Sequence, residues 1–262
     1  MSELRLGDTR EIIKEYPDDF FDCIVSDIPY KIATGGSRIE FKGNEMSGIM
    51  RKVCPNDRLK NKWIKQEDSD TDILVRTGKL FANNEIKFEE FLPELYRVLK
   101  QDTHCYLMIN SRNLMELQTK AENVGFKFQN LLVWIKNTAT PNHCYMQSCE
   151  YILMLRKGHE RYINDMGTKN IFIYANFVGN KFHPTEKPVE LMKDFILNST
   201  NEGDKVLDPF MGSGTTCVAC KETNREYYGF EIDEKYYDIA KKRIENVFVS
   251  REKNSSQIKL FT

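Results

Sequence analysis

Residues 206–233 read V-L-D-P-F-M-G-S-G-T-T-C-V-A-C-K-E-T-N-R-E-Y-Y-G-F-E-I-D. A short apolar run ends in a carboxylate, Asp208. A glycine turn follows, Gly212-Ser213-Gly214, and Thr215-Thr216 open a helical stretch. Small residues let a ligand approach the backbone closely. The start of a helix offers unpaired N–H groups and a positive dipole end to an anion. About twenty residues on, a second run ends in Glu231, where a carboxylate can accept hydrogen bonds from both hydroxyls of a ribose.

The details narrow the nucleotide. No Lys follows Gly214, so this is not a phosphate loop of the G-x-x-x-x-G-K-[ST] kind. Cys217 stands where a dinucleotide fingerprint needs its third glycine. The loop suits a carboxylate better than a pyrophosphate. S-adenosyl-L-methionine has a carboxylate and a ribose, and no phosphate.

The elements that must position these residues alternate along the chain. Strands are expected at 4–7, 22–26, 104–109, 128–135, 151–155, 205–207 and 227–230. Helices are expected at 9–16, 88–100, 113–123, 187–198, 215–222 and 235–247. Asp8 is placed to cap the first helix. Pro93 should kink the second or delay its start, and Pro188 should occupy a first turn. Residues 156–183 read as irregular. The tail from Ser250 is polar, and Arg251 to Ser256 is expected to be disordered. Strands alternating with helices imply an α/β fold, a mostly parallel sheet with helices on both faces. There is no internal repeat and no boundary between independent domains. The expectation is one catalytic domain over residues 1–262.

Composition removes several function classes. No apolar run approaches the length of a membrane span, so no membrane association is expected. The opening M-S-E-L-R-L-G-D-T-R-E lacks the apolar core of a secretory leader, which makes the cytoplasm the expected address. The seven cysteines are odd in number and irregular in spacing, unlike a disulfide framework. Cys217 and Cys220 form a C-x-x-C inside an expected helix, with no second ligand pair nearby, and read as core. His143, Cys144 and Cys149 give no better metal set, so no metal is expected. The net charge of −1 exerts no global pull on nucleic acid. The local balance differs. From Lys31 to Lys65 there are nine basic residues and three acidic ones, with four glycines. This reads as a long basic loop, about 31–80, able to contact phosphates through Lys31, Arg38, Arg51, Lys52, Arg58 and Lys62.

Four motifs together resemble the β-class of S-adenosylmethionine-dependent DNA amino-methyltransferases, adenine-N6 type. D-P-F-M-G-S-G-T-T resembles the family's cofactor motif. Ser26-Asp27-Ile28-Pro29-Tyr30 resembles its catalytic D-P-P-Y, and His183-Pro-Thr-Glu-Lys-Pro188 its H-P-T-x-K-P. Leu6-Gly7-Asp8 resembles L-x-G-D. The catalytic motif comes first and the cofactor motif last, as in the permuted β-class. The likeness extends from residue 4 to about 247, and is least at the basic loop and at 156–183.

The resemblance implies a Rossmann-like class I methyltransferase fold with permuted motif order. It implies S-adenosyl-L-methionine as cofactor and DNA as partner. The implied catalytic residues are Asp27, Ile28, Pro29 and Tyr30. The implied cofactor residues are Asp8, Asp27, His183, Thr185, Lys187, Asp208, Phe210, Gly212, Ser213, Gly214, Thr215, Thr216 and Glu231. Asp27 and the Ile28 carbonyl would accept the two N–H groups of a target amine, and Tyr30 would stack on the flipped base. Ile28 replaces the family's first proline but keeps its carbonyl. A segment at about 137–183 would read the target sequence. Cytosine-N4 enzymes of the family typically carry Ser where this chain has Asp27, which favours adenine. Cytosine-N4 methylation is the alternative. Another is a catalytically weak DNA-binding relic, at which only Ile28 hints. A homodimer is compatible with the family. The final Gln257-Ile-Lys-Leu-Phe261, in the tail at 250–262, resembles the Q-x-x-L-F peptide that docks on bacterial sliding clamps.

Overall fold

The computed structural model describes residues 2–30, 86–140, 145–175 and 187–258. The chain separates into two compact units. The larger comprises residues 1–29, 87–140 and 147–262; the smaller comprises 30–86 and 141–146 and contains most of the basic insertion.

In the larger unit an eight-stranded sheet is built from β1 (Glu3–Leu6), β2 (Phe21–Asp27), β3 (Leu99–Ile109), β4 (Lys127–Thr140), β5 (Gln147–Lys157), β6 (Ile171–Ile173), β7 (Lys205–Asp208) and β8 (Glu226–Glu231). Its order is β1-β8-β7-β2-β3-β5-β4-β6. The five strands from β1 to β3 run parallel. β5 is antiparallel to β3 and to β4, and β6 pairs parallel to β4. The described helices are α1 (Thr9–Ile12), α2 (Leu92–Val98), α3 (Leu114–Val124), α4 (Val189–Ser199), α5 (Thr215–Glu222) and α6 (Glu234–Ile258). None of them is long and apolar enough to cross a membrane.

β2 is Phe-Asp-Cys-Ile-Val-Ser-Asp, with Cys23, Ile24, Val25 and Ser26 all buried. Such a run fits a central strand covered on both faces. One face packs on α4. There Cys23 and Val25 of β2, Tyr106 and Met108 of β3, Ile152 and Met154 of β5 and Leu132 and Trp134 of β4 meet Leu191, Met192, Phe195 and Ile196. Tyr106 stacks on Phe195 with ring centroids 5.0 Å apart. The successor of β2 in the chain, β3, lies on one side of it, and β7 lies on the other. Ligand crevices of open α/β sheets form at such a reversal, beyond the carboxyl ends of the strands. Asp27 and Asp208 occupy those two ends.

Several expectations are corrected in detail. The 88–100 helix divides into a 3-10 turn, Phe88–Glu90, and α2, with Pro93 near the start and no kink. Leu99 and Lys100 already belong to β3. Pro188 is the N-cap of α4 rather than a first-turn residue. The 156–183 stretch contains the three-residue strand β6. α6 continues to Ile258, through the Arg251–Ser256 stretch expected to be disordered. That stretch is polar but contains neither Gly nor Pro, and its Arg, Glu and Lys are good helix formers.

Candidate active site

The two acidic strand ends are joined by a buried hydrogen bond. Ser26 Oγ donates to Asp208 Oδ1 at 2.7 Å, and the Phe210 N–H donates to the same oxygen at 3.2 Å. Burial pushes the Asp208 carboxyl up to about 6, against these hydrogen bonds and one from Thr216. The same Thr216 hydroxyl lies 3.4 Å from the Val25 carbonyl, which sets the start of α5 beside β2.

Beyond Asp208 the chain turns tightly. Gly212 and Gly214 have φ of 53° and 79°, left-handed values that a side chain disfavours. A Cβ at Gly214 would also come within 2.8 Å of the Ala240 Cβ on α6. The turn is fastened to β8. Met211 N–H donates to the Phe230 carbonyl at 3.0 Å, and Gly212 N–H donates to Glu231 Oε2 at 2.9 Å. The Asp233 N–H donates to Glu231 Oε1 at 2.9 Å. Burial raises the Glu231 pKa, against these backbone bonds. An ionised carboxylate offers about four acceptor sites, so with the Gly212, Ile232 and Asp233 N–H groups on it there is still room for a further donor. That donor set, beside a glycine turn with no lysine, fits a ribose and a carboxylate, as in S-adenosylmethionine.

Other expected cofactor residues surround this turn. Ser213, Thr215 and Thr216 are buried. Arg243 of α6 donates to Ser213 Oγ and to its carbonyl, each at 2.8 Å, and to Thr215 Oγ1 at 3.4 Å. Phe210 packs edge-on against Phe91 at 5.0 Å. Gly7 N–H donates to the Glu231 carbonyl at 2.8 Å, and Thr9 Oγ1 donates to the Pro209 carbonyl. These bonds bring the β1–α1 turn, with Asp8, to the crevice. Asp8 caps α1 and pairs with Arg10 at 2.6 Å, which holds its carboxyl below the usual range.

At the end of β2 the chemistry is ionic. Lys187 Nζ lies 2.8 Å from Asp27 Oδ2 and 3.2 Å from Glu150 Oε2. Lys136 Nζ lies 2.9 Å from Glu150 Oε1. Lys187 is buried, and its two carboxylates are about a quarter exposed (26% and 24%). Burial raises the Asp27 pKa, Lys187 opposes this, and Glu150 adds to it. Burial works the same way on Glu150, but Lys187 and Lys136 outweigh it and leave that carboxyl below its usual range. Ile28 is buried, while Pro29 and Tyr30 are half-buried. The isoleucine side chain therefore fills space in the core.

Lys187, grouped with the cofactor by its motif, thus lies against the carboxylate of Asp27. His183 and Thr185 fall outside the described residues, as do Lys31, Arg38, Arg51, Lys52, Arg58 and Lys62. Glu150, Lys136 and Arg243 were not legible as site residues. Cys217 and Cys220 are buried core residues of α5, their thiols pushed up by burial.

Residues 21–242 match the N6/N4 methyltransferase family, described as DNA methylase. The chain is similar to the Type II methyltransferase M.HinfI of Haemophilus influenzae, with 27% identity over 92% of this chain and 67% of that one. It is 30% identical to the Type II methyltransferase M.HpaI of Haemophilus parainfluenzae, over 76% of this chain and 75% of that one. The fold is shared with the crystal structure of the M1.HpyAVI–SAM complex, at 23% identity and a TM-score of 0.63, covering 93% of this chain and all of that one. The match over most of the chain, on a sheet that ends in this acidic crevice, places the protein in the DNA methylase family, as an S-adenosylmethionine-dependent DNA methyltransferase.

Proposed function

We propose that this enzyme methylates the exocyclic N6 of an adenine turned out of the DNA helix. The observation that carries the reading is the carboxylate of Asp27 at the end of β2, where a serine is typical of cytosine-N4 enzymes. An exocyclic amine is a poor nucleophile because its lone pair is delocalised into the ring. Asp27 and the Ile28 carbonyl accept its two N–H groups and draw the nitrogen toward tetrahedral geometry, a positioning and electrostatic effect. Tyr30 stacks on the flipped base. Bound S-adenosylmethionine supplies a methyl group on a sulfonium centre.

Glu231 holds the ribose hydroxyls of that donor, and the Gly212–Gly214 turn its carboxylate. Asp8 serves the adenine edge, and Asp208, Phe210, Thr215 and Thr216 shape the crevice. His183 and Thr185 join them on the strength of the motif alone. The contact with Asp27 supports placing Lys187 with the acceptor group instead. The basic residues Lys31, Arg38, Arg51, Lys52, Arg58 and Lys62 contact DNA phosphates. Charge reversal at Arg51, Lys52 and Arg58 should therefore flatten the salt dependence of DNA binding. The segment around 137–183 reads the target, and the tail from Gln257 to Phe261 docks on a sliding clamp. Loss of clamp pull-down on Leu260→Ala/Phe261→Ala checks the docking. Action on DNA and the five free cysteines among the described residues support a cytoplasmic setting.

The test is product analysis. Unmethylated genomic DNA is incubated with enzyme and labelled donor, then digested to nucleosides. The label is expected in N6-methyl-2′-deoxyadenosine. Label in N4-methyl-2′-deoxycytidine would move the enzyme to the other branch of the family, and donor binding without product would make it a relic. Asp27→Ala should lose transfer by at least about 10²-fold, the scale of removing one preorganised polar group from a transition state.

A further inference from the structure

Three strands, β5 and β4 side by side and β2 set apart from them by β3, change character toward the same end of the sheet. On the face that packs against α4, β2 presents Cys23 and Val25 and then Asp27. β4 presents Leu132 and Trp134 and then Lys136. β5, which runs the other way, presents Met154 and Ile152 and then Glu150. The pairings fix their places: Asp27 is level with Met108 and Ile152, and Glu150, opposite Trp134, lies two residues further toward that end. Side chains alternate along each strand, so these charges lie on the same face as the apolar residues before them. Lys187, two residues before α4, closes the group from above. The result is a line of alternating charge, Lys136–Glu150–Lys187–Asp27, with successive N···O distances of 2.9, 3.2 and 2.8 Å.

We propose that Glu150 is a positioning residue for methyl transfer: anchored by Lys136, it holds the Lys187 ammonium on Oδ2 of Asp27, which leaves Oδ1 for the amine of the target base. This rests on the reading of Asp27 as the amine acceptor. An ammonium on a flexible stem is a mobile point charge. Without a second carboxylate beside it, it could swing across both oxygens of Asp27 and compete with the amine. A second carboxylate on its far side fixes where it stands. The second ammonium, on Glu150 Oε1, keeps that carboxylate ionised and in place. Among the described residues, the charged groups acting on Asp27 are Lys187 from the α4 side, Glu150 from β5 and Asp208 from β7, with Lys136 of β4 behind Glu150. The apolar Met108 faces it from β3.

The charge line gives opposite signs for two substitutions. Removing the negative charge of Glu150 takes a repulsive neighbour from Asp27 and gives it a larger share of Lys187. Removing the positive charge of Lys136 does the reverse. The experiment measures kcat against pH on unmethylated genomic DNA, with donor affinity by calorimetry and fold by circular dichroism. Glu150→Gln is expected to lower kcat by about tenfold or more and to move the acid limb of the profile to lower pH. Lys136→Met is expected to move that limb to higher pH. Glu150→Asp, which keeps the charge, should return the limb toward its original position, and donor affinity should stay within about twofold in all three. A wild-type profile for both Glu150→Gln and Lys136→Met would overturn the proposal while leaving the acceptor role of Asp27 standing. Shifts of the same sign would also overturn it. If Glu150→Gln does not fold, Lys136→Met alone carries the sign test. A wild-type enzyme that puts no label into adenine would overturn the reading beneath it.

Discussion

The proposed donor crevice and the proposed acceptor end of this enzyme, at the ends of the adjacent strands β7 and β2, are built in opposite ways. Most of the crevice comes from one stretch of chain, Asp208 to Asp233, and it is held mainly by backbone N–H groups donating to Glu231 and Asp208. The acceptor end gathers Asp27, Lys136, Glu150 and Lys187 from four separate places, and side-chain charge holds it together. A site made of local backbone bonds survives the loss of one side chain with modest damage. A site made of partly buried charges does not, because each charge removed leaves another uncompensated. That difference orders the expected effects of substitution.

The largest effect on stability should come from Lys187. It is buried between two carboxylates, and Lys187→Met leaves both without their shared partner. Breaking a buried ion pair by removing one member costs about 3–5 kcal/mol. Both carboxylates keep some contact with water and Glu150 keeps Lys136, so a loss of roughly 3 kcal/mol is expected. Denaturant unfolding of wild type and variant measures it. A loss no larger than that of an exposed ion pair would mean that water already carries these charges.

Asp208 comes next and probes the seam between the two regions. Its folded pKa of about 6 lies above the ordinary carboxylate value. The native state therefore binds this proton more tightly than the unfolded chain. The stabilisation from Asp208 is full below about pH 4 and is lost as pH rises toward about 6. Two pKa units correspond to on the order of 3 kcal/mol. Asp208→Asn removes the titrating group, so the stability difference between variant and wild type should move in the variant's favour between pH 4 and pH 7. Urea titrations across that range test this. A difference independent of pH would show that Asp208 titrates as an ordinary carboxylate.

The same contrast explains what the sequence made legible. The crevice was readable because its turn, its two strand ends and its glycines follow one another in the chain. Thr215–Glu222 was bounded correctly as a helix for the same reason. Asp27 was readable from its motif. Glu150 and Lys136 were not, because their meaning depends on which strands pair and in what register. Nothing in S-C-E-Y-I-L or W-I-K states that Glu150 will oppose Trp134. The contact of Lys187 with Asp27 and Glu150 was not legible for the same reason. β6 was missed because three residues bonded to one neighbouring strand carry too little periodicity. α6 was cut short at a change in polarity, although a polar run lacking Gly and Pro can stay helical.

Glu231 should give the smallest effect on the fold and a selective one on the donor. Its carboxylate accepts the Gly212 and Asp233 N–H groups, one on each oxygen. Glu231→Ala removes both acceptors, but the Met211 bond to the Phe230 carbonyl and the Arg243 bonds to Ser213 still fasten the turn. The thermal midpoint should therefore move little. Donor affinity should fall by about 1–3 kcal/mol, the cost of hydrogen bonds to a charged acceptor. Glu231→Gln keeps one oxygen and the side-chain shape, so its loss should be smaller than that of alanine. Calorimetric titration with S-adenosylmethionine and a parallel thermal melt separate the two quantities. Equal losses of melting temperature and affinity would make Glu231 a support of the turn, whereas a loss of affinity alone makes it a contact of the donor.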